Sequence, residues 1–141
     1  MALAFAKPIG STIIGLNVFS LPSIITVSLD MKNKIRKKSE EVIKQAEAVS
    51  QKANVSFTGI TKTGDNIGNT IITFAEKHGV DMLVIGSRGP DSEADIFLGS
   101  VANYVVNKSK IPVTIVKWNN QLEHNFVVKQ ILYFDITVNY L

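Results

Sequence analysis

The sequence has no cysteine and only two histidines, His78 and His124, among its 141 residues. Without cysteine the chain cannot form disulfide bonds, thiolate zinc sites, iron–sulfur clusters or a thiol nucleophile. Two histidines are also too few for a histidine-rich metal site. Thiol chemistry and cysteine-ligated zinc are therefore excluded, and a histidine-rich metal site is not expected.

Long hydrophobic runs are missing too. Residues 8–29 carry no charge, but Gly15, Asn17 and Pro22 interrupt them, whereas a bilayer requires an unbroken run of roughly 20 apolar residues. Residues 1–6 lack both the basic residues and the length of a signal peptide. We therefore predict a cytoplasmic protein with no membrane partner.

Neither sign of charge is strongly in excess. Fifteen basic and twelve acidic side chains leave a net charge of +3, which is too small to demand a nucleic-acid partner. The basic cluster at residues 32–38 contains no aromatic side chain on which bases would stack. We predict that this cluster is the solvated face of a helix and that no nucleic acid is bound.

The composition, 45% hydrophobic and 19% charged, is typical of a globular protein, and the length suits one domain. Apolar β-branched runs alternate with segments of helical periodicity. This alternation predicts right-handed βαβ units and an α/β fold, in which an open parallel sheet has helices on both faces. The predicted strands are residues 11–19, 55–60, 81–86 and 112–117, and the predicted helices are residues 31–53, 67–78 and 99–108.

Capping residues support the second of these helices. Asp65 is placed to accept hydrogen bonds from the first free amides of the helix at residues 67–78. Gly79 follows that helix at the position where a left-handed cap is needed. His78, beside that glycine, is predicted to be a cap and not a catalytic base, because the helix dipole favours a cation there.

One glycine pattern carries chemistry, at the carboxyl end of the third strand. Gly86 and Gly89 flank Ser87-Arg88, and Gly99-Ser100 opens a helix nine residues later. Glycines let a phosphate chain approach the backbone, and the free amides at a helix amino end attract phosphate. Arg88 adds a cation that pairs with phosphate or with a nearby carboxylate. The alternative is that these glycines only form turns.

The segments Val80–Gly89, Phe97–Val106 and Pro112–Lys117 resemble the universal stress protein family. The resemblance extends over residues 2–117, so we assign a domain at 1–117 and an extension at 118–141. It implies a five-stranded, Rossmann-like sheet of the adenine nucleotide alpha hydrolase type.

The resemblance also implies a function. It implies that ATP binds to this domain, that the adenine contacts Val18 with Ile85 nearby, and that two copies pair through the strand Val113–Val116. The residues implied to hold phosphates and ribose are Gly86, Ser87, Arg88, Gly89, Gly99, Ser100 and Val101.

Three classes of function follow from these features. Because no cluster of nucleophile, base and orienting group can be identified, we expect a stress-response regulatory binding protein and not an enzyme. A dimeric interaction module that has lost nucleotide binding is the main alternative, and an ATPase or nucleotidyl-transfer enzyme is the third.

The sequence departs from the family at its start. Residues 1–7 look like the end of a first helix, so the central strand of the usual order 3-2-1-4-5, which ends in an aspartate that touches the nucleotide, is absent. Its absence would leave a gap of about 9.6 Å between two strands.

The run Lys129–Asp135 resembles the missing strand, and Asp135 would then replace the aspartate beside the adenine. The open alternatives are that this run fills the gap, that it adds to a sheet edge or frays, and that the reading frame is truncated at the start of a second domain.

The predicted phosphate loop also carries Asp91, Glu93 and Asp95. Carboxylates repel a triphosphate unless they hold Mg²⁺ through their oxygens. Mg²⁺ is therefore a candidate cofactor, and a solvated loop is the alternative.

Overall fold

The computed structural model describes residues 2–20, 29–87, 98–116 and 132–135, the last four as backbone only. Within these ranges no helix is long and apolar enough to cross a membrane. The elements, in chain order, are α1 (Ala2–Ile9), β1 (Thr12–Phe19), α2 (Leu29–Lys52), β2 (Phe57–Thr63), α3 (Ile67–Lys77), β3 (Met82–Gly86), α4 (Ser100–Lys108), β4 (Val113–Val116) and β5 (Leu132–Asp135).

The five strands form one sheet in the order β2-β1-β5-β3-β4. β1 is parallel to β2 and β3 is parallel to β4, whereas β5 is antiparallel to both of its neighbours. The predicted α/β fold is therefore confirmed. The strands of the predicted parallel sheet pair as expected, and β5 is the strand that departs from it by running antiparallel.

β5 lies in the central position, where the sequence predicts a gap. Leu132 pairs with Gly15 and Val84, and Asp135 pairs with Thr12. β4 ends at the carboxyl edge of the sheet, and residues 117–131 connect it to β5. From that edge the chain enters the gap directly by running antiparallel, since a parallel strand would first require the chain to cross to the amino edge. The remainder of the predicted run, residues 129–131, lies outside the described residues.

Side chains of β1 alternate between the two faces of the sheet, as the pleat requires. Leu16 and Val18 pack with α3 and α4 in the larger core cluster, which also contains Ile71, Leu83 and Val105. On the opposite face Ile13 packs with residues of α1. Asn17 also faces away from α3 and α4, and its Nδ2 donates to the Ser39 carbonyl of α2 at 3.5 Å. The sheet is thus covered by helices on both faces.

Three helices end in the same left-handed turn and lead directly into strands. Gly10, Asn54 and Gly79 follow α1, α2 and α3 with φ of 66°, 55° and 62°. In each turn the next amide donates to the carbonyl five residues earlier, for example from Val80 to Ala75 at 3.0 Å. Gly79 therefore has the predicted role, and His78 is the C-cap residue.

The amino end of α3 differs from the prediction by one residue. Asn66, not Asp65, is the N-cap, and its Oδ1 accepts from the Asn69 amide at 2.9 Å. A cap side chain reaches the amide three residues ahead, so a helix that begins at Ile67 selects Asn66. The prediction of Asp65 as the cap is wrong because two adjacent side chains are both good acceptors.

Candidate functional site

The carboxyl ends of β1 and β3 lie at the same edge of the sheet, because both strands are antiparallel to β5. Backbone hydrogen bonds hold the ends of neighbouring strands together at this edge. The Gly64 amide donates to the Phe19 carbonyl at 3.1 Å, and the Ser87 amide donates to the Val116 carbonyl at 2.9 Å. The edge is therefore a defined surface on which the predicted site residues can be located.

The amino end of α4 is joined to the end of β3 by one short hydrogen bond. The Gly99 amide donates to the Ser87 carbonyl at 2.7 Å. This bond brings together the described residues of the predicted phosphate site, which are Gly86, Ser87, Gly99, Ser100 and Val101.

Among the described residues, α4 begins without a side-chain cap. Gly99 occupies the N-cap position with φ −60° and ψ 159°, and no described side chain accepts a hydrogen bond from the first turn. The first amides of a helix have no intrahelical acceptor, and they lie at the positive end of the helix dipole. This end of α4 can therefore donate hydrogen bonds to an anion.

Packing fixes α4 in this position. Ala102 and Val105 are buried in the same core cluster as Ile85 of β3. On the α3 side, a Cβ added to Gly68 would approach Cδ1 of Tyr104 to 2.6 Å, so a glycine at this position allows α3 and α4 to pack closely. Gly68 is not among the predicted site residues, although a glycine in the first turn of a predicted amphipathic helix is a signal of close packing.

The residues differ in what they expose. Gly86 and Ser100 are exposed, Gly99 and Val101 are half-buried, and Ser87 is only 8% exposed. Ser100 thus offers a hydroxyl at the surface, whereas Ser87 contributes mainly through the backbone that holds α4.

The residues predicted to contact adenine lie deeper. Val18 and Ile85 belong to one core cluster and are 6% and 4% exposed. They lie one residue before the ends of β1 and β3, so a ring bound at the edge would meet only their outermost atoms.

Asp135 is not at this edge. Its backbone pairs with Thr12, the first residue of β1, so it lies at the amino edge, at the opposite end of the sheet from Gly86. The prediction that Asp135 replaces the aspartate beside the adenine is wrong, because an antiparallel strand directs its last residue away from the carboxyl edge.

Several predicted residues lie outside the described part of the chain. They are Arg88 and Gly89 of the glycine pattern and Asp91, Glu93 and Asp95 of the acidic loop. Within the described ranges, no group of three or more histidine, aspartate and glutamate side chains is arranged to hold a metal ion.

A central sheet with helices on both faces, and a glycine-rich strand end joined to an uncapped helix, define the chain as an α/β domain whose carboxyl edge suits an anionic ligand. A sequence model of the universal stress protein family matches residues 1–117. The chain belongs to the universal stress protein family, as its sequence motifs predict.

Two curated relatives are similar over part of their length. Universal stress protein MJ0577 of Methanocaldococcus jannaschii is 34% identical over 96 residues, which are 64% of this chain and 56% of the relative. Universal stress protein YxiE of Bacillus subtilis is 28% identical over 88 residues, 62% of this chain and 59% of the relative. The matched region thus spans slightly more than half the length of each relative.

Solved structures share the fold. The structure of MJ0577 superposes with a TM-score of 0.73 at 27% identity and covers 84% of this chain and 87% of that one. An Arabidopsis thaliana universal stress protein, At3g01520, was solved with AMP bound. It superposes with a TM-score of 0.59 at 21% identity, covering 85% and 78% of the two chains.

Proposed function

We propose that this domain binds an adenine nucleotide, with ATP as the expected ligand, at the carboxyl edge of the sheet and acts as a stress-response regulatory protein. The observation that carries the proposal is the 2.7 Å bond from the Gly99 amide to the Ser87 carbonyl, since it joins the glycine-rich strand end to the uncapped amino end of α4. The AMP bound to the Arabidopsis relative supports the same class of ligand.

The residues present fit the phosphate groups of a nucleotide. The amides of Ser100 and Val101 belong to the uncapped first turn, and the Ser100 hydroxyl is exposed beside them. Gly86 leaves room for close approach at the strand end. Arg88 and Gly89 are also proposed to bind the phosphates. Val18 and Ile85 would border the adenine.

We also propose that the acidic loop holds Mg²⁺ together with the nucleotide. When bound, the ion would neutralise part of the triphosphate charge, which the carboxylates of Asp91, Glu93 and Asp95 would otherwise repel. We propose binding without turnover, because the sequence offers no recognisable cluster of nucleophile, base and orienting group.

We further propose that the protein is cytoplasmic and dimeric. β4 is an edge strand of the described sheet, because only β3 pairs with it. A second copy of Val113–Val116 placed along that edge would satisfy its free backbone groups.

Isothermal titration calorimetry with ATP and Mg²⁺ tests the nucleotide site. The double substitution Gly99→Val with Ser100→Ala places a branched side chain at the N-cap and removes the hydroxyl, so we expect affinity to fall at least tenfold. Asn107→Ala, at the exposed far end of α4, is the control and should leave affinity unchanged. Equal affinity of the double variant and the wild type would refute the phosphate assignment.

The second candidate function is a dimeric interaction module without a nucleotide. The placement of Asp135 favours it, since no described aspartate lies where the family's first strand would supply one. Titration of the full chain with ATP and Mg²⁺, together with its oligomeric state, separates the two functions. ATP binding would support the nucleotide site, whereas a folded dimer that never binds ATP would support the module.

A further inference from the structure

The first part of α2 extends beyond the sheet on which the helix packs. α2 has 24 residues and is therefore about 36 Å long, whereas the eight residues of β1 span about 26 Å. Asn17, near the carboxyl end of β1, contacts the Ser39 carbonyl. Ten helical residues precede Ser39 and rise about 15 Å, while only two strand residues follow Asn17 and rise about 7 Å. We name residues 29–38 the overhang. About the first five of them thus extend past the carboxyl edge, by up to about 8 Å, and the others lie alongside the end of β1.

The overhang is almost fully in solvent. Nine of its ten residues are exposed, and only Ile35 is half-buried. All the buried residues of α2, namely Ser39, Ala46 and Ser50, come after it. Core packing therefore does not determine the side chains of the overhang.

Those side chains carry a concentrated positive charge. The overhang has five basic residues and one acidic residue, whereas the rest of α2 has two basic and three acidic residues. Arg36 Nε lies 3.9 Å from Glu40 Oε1, and both side chains are more than half exposed, so this pair adds little. The excess charge is not neutralised within the described part of the molecule.

Some of these charges oppose helix stability. Lys32 and Arg36 are like charges at i, i+4 spacing, and so are Lys34 and Lys38, which destabilises a helix. Lys32 also lies in the first turn, at the positive end of the helix dipole. The attraction between Asp30 and Lys34 at the same spacing acts in the other direction, as does the Arg36 pair described above. Helix stability therefore does not account for the excess of positive charge.

We propose that the overhang is a docking surface for an acidic segment of a partner protein. At 100° per residue its five cations are distributed around the helix, whereas binding to a flat anionic membrane requires basic and apolar residues on separate faces. The overhang has no aromatic side chain to stack on bases. Leu29, 78% exposed at its tip, offers an apolar contact beside the cations. A flexible acidic chain is complementary to this surface, and the proposal does not depend on nucleotide binding.

Fluorescence anisotropy of a labelled decaglutamate peptide tests the docking surface. The triple substitution Lys34→Gln, Lys37→Gln and Lys38→Gln lowers the net charge by three within the overhang. The control is Lys77→Gln, Lys108→Gln and Lys110→Gln, three exposed lysines elsewhere, which lower the net charge equally. We expect the overhang variant to lose at least tenfold in affinity, the control to lose less than twofold, and the affinity of the wild type to fall between 50 and 200 mM salt.

Circular dichroism checks that both variants keep the helical content of the wild type. We expect both to fold, because glutamine is a good helix former. If both variants lost the same affinity for decaglutamate, the effect would come from net charge alone, and the proposal would be overturned. Failure of the wild type to bind decaglutamate at low salt would also overturn it. Tighter binding of duplex DNA or of phosphatidylserine vesicles through the same lysines would overturn the assignment to an acidic protein segment.

Discussion

Among single residues, the polar contact between β1 and α2 is the least satisfied part of the described core. Asn17 and Ser39 are 1% and 4% exposed, and neither Asn17 Oδ1 nor Ser39 Oγ has a hydrogen-bond partner among the described residues. The contact they do share, from Asn17 Nδ2 to the Ser39 carbonyl, is 3.5 Å long and lies beyond the usual range. A buried polar atom without a partner destabilises a fold. This contact nevertheless lies at the base of the overhang and helps to set where α2 leaves the sheet.

Ser39→Ala should therefore stabilise the protein. The change removes an unpaired buried hydroxyl, which costs about 1–3 kcal/mol, and it also favours the helix. Ser50→Ala on the same helix is the matched control, because the Ser50 hydroxyl is equally buried but donates to the Ala46 carbonyl at 2.9 Å. Urea denaturation should give Ser39→Ala the higher free energy of unfolding by about 1 kcal/mol. Equal values for the two variants would contradict the prediction.

For whole elements, the charge distribution of α2 gives a second stability prediction. Lys32→Glu places an anion in the first turn of the helix and converts the Lys32–Arg36 repulsion into an attraction, so we expect a gain of about 1 kcal/mol. Lys77→Glu, in the last turn of α3, should have the opposite sign because the helix dipole is reversed there. The measurement is urea denaturation at low and high salt. If the two variants shift stability in the same direction, the electrostatic explanation is wrong.

The elements also show what the sequence can predict. The amphipathic pattern of α2 and the buried runs of β1, β3 and β4 predict their bounds within two residues, because period and burial are local properties. The glycine pattern likewise locates the end of β3 and the start of α4. The Ser87–Gly99 bond could not be predicted, since it depends on how α4 packs against α3 at Gly68. The direction of β5 could not be predicted either, because the composition of a strand carries no information about which way it runs.

In the whole molecule, the central strand determines how this sheet relates to the family's nucleotide site. β5 completes the hydrogen bonding of β1 and β3 in their amino halves, at Thr12–Gly15 and Met82–Val84. Its antiparallel direction places Asp135 at the amino edge and leaves Gly86, Gly99 and Ser100 as the described polar surface at the other edge. Binding of the proposed nucleotide therefore depends on the residues that would hold its phosphates. Whether Asp135 also takes part depends on the direction of β5, which can be tested.

Because the chain has no cysteine, an engineered disulfide can report the register of β5. Ile14 pairs with Tyr133, and paired residues of antiparallel strands lie about 4.5–5.5 Å apart, within the Cα separation that a disulfide spans. Ile14→Cys with Tyr133→Cys should thus form an intramolecular bond on mild oxidation. Ile14→Cys with Leu132→Cys should not, since adjacent residues of a strand point to opposite faces.

Mass spectrometry of thiol-labelled chains at low protein concentration measures both variants. Closure of the paired variant alone shows that Tyr133 lies opposite Ile14. Closure of Thr12→Cys with Asp135→Cys in addition would establish the antiparallel direction, because a parallel strand through the same point would hold that pair about 13 Å apart. The two results together would place Asp135 away from the nucleotide edge. Equal closure in both would mean that the tail does not hold one register, and a disulfide formed only between chains would mean that the central strand comes from a second copy. Either result would remove the physical reason for excluding Asp135 from the site, because that reason depends entirely on the direction in which this chain's own β5 runs.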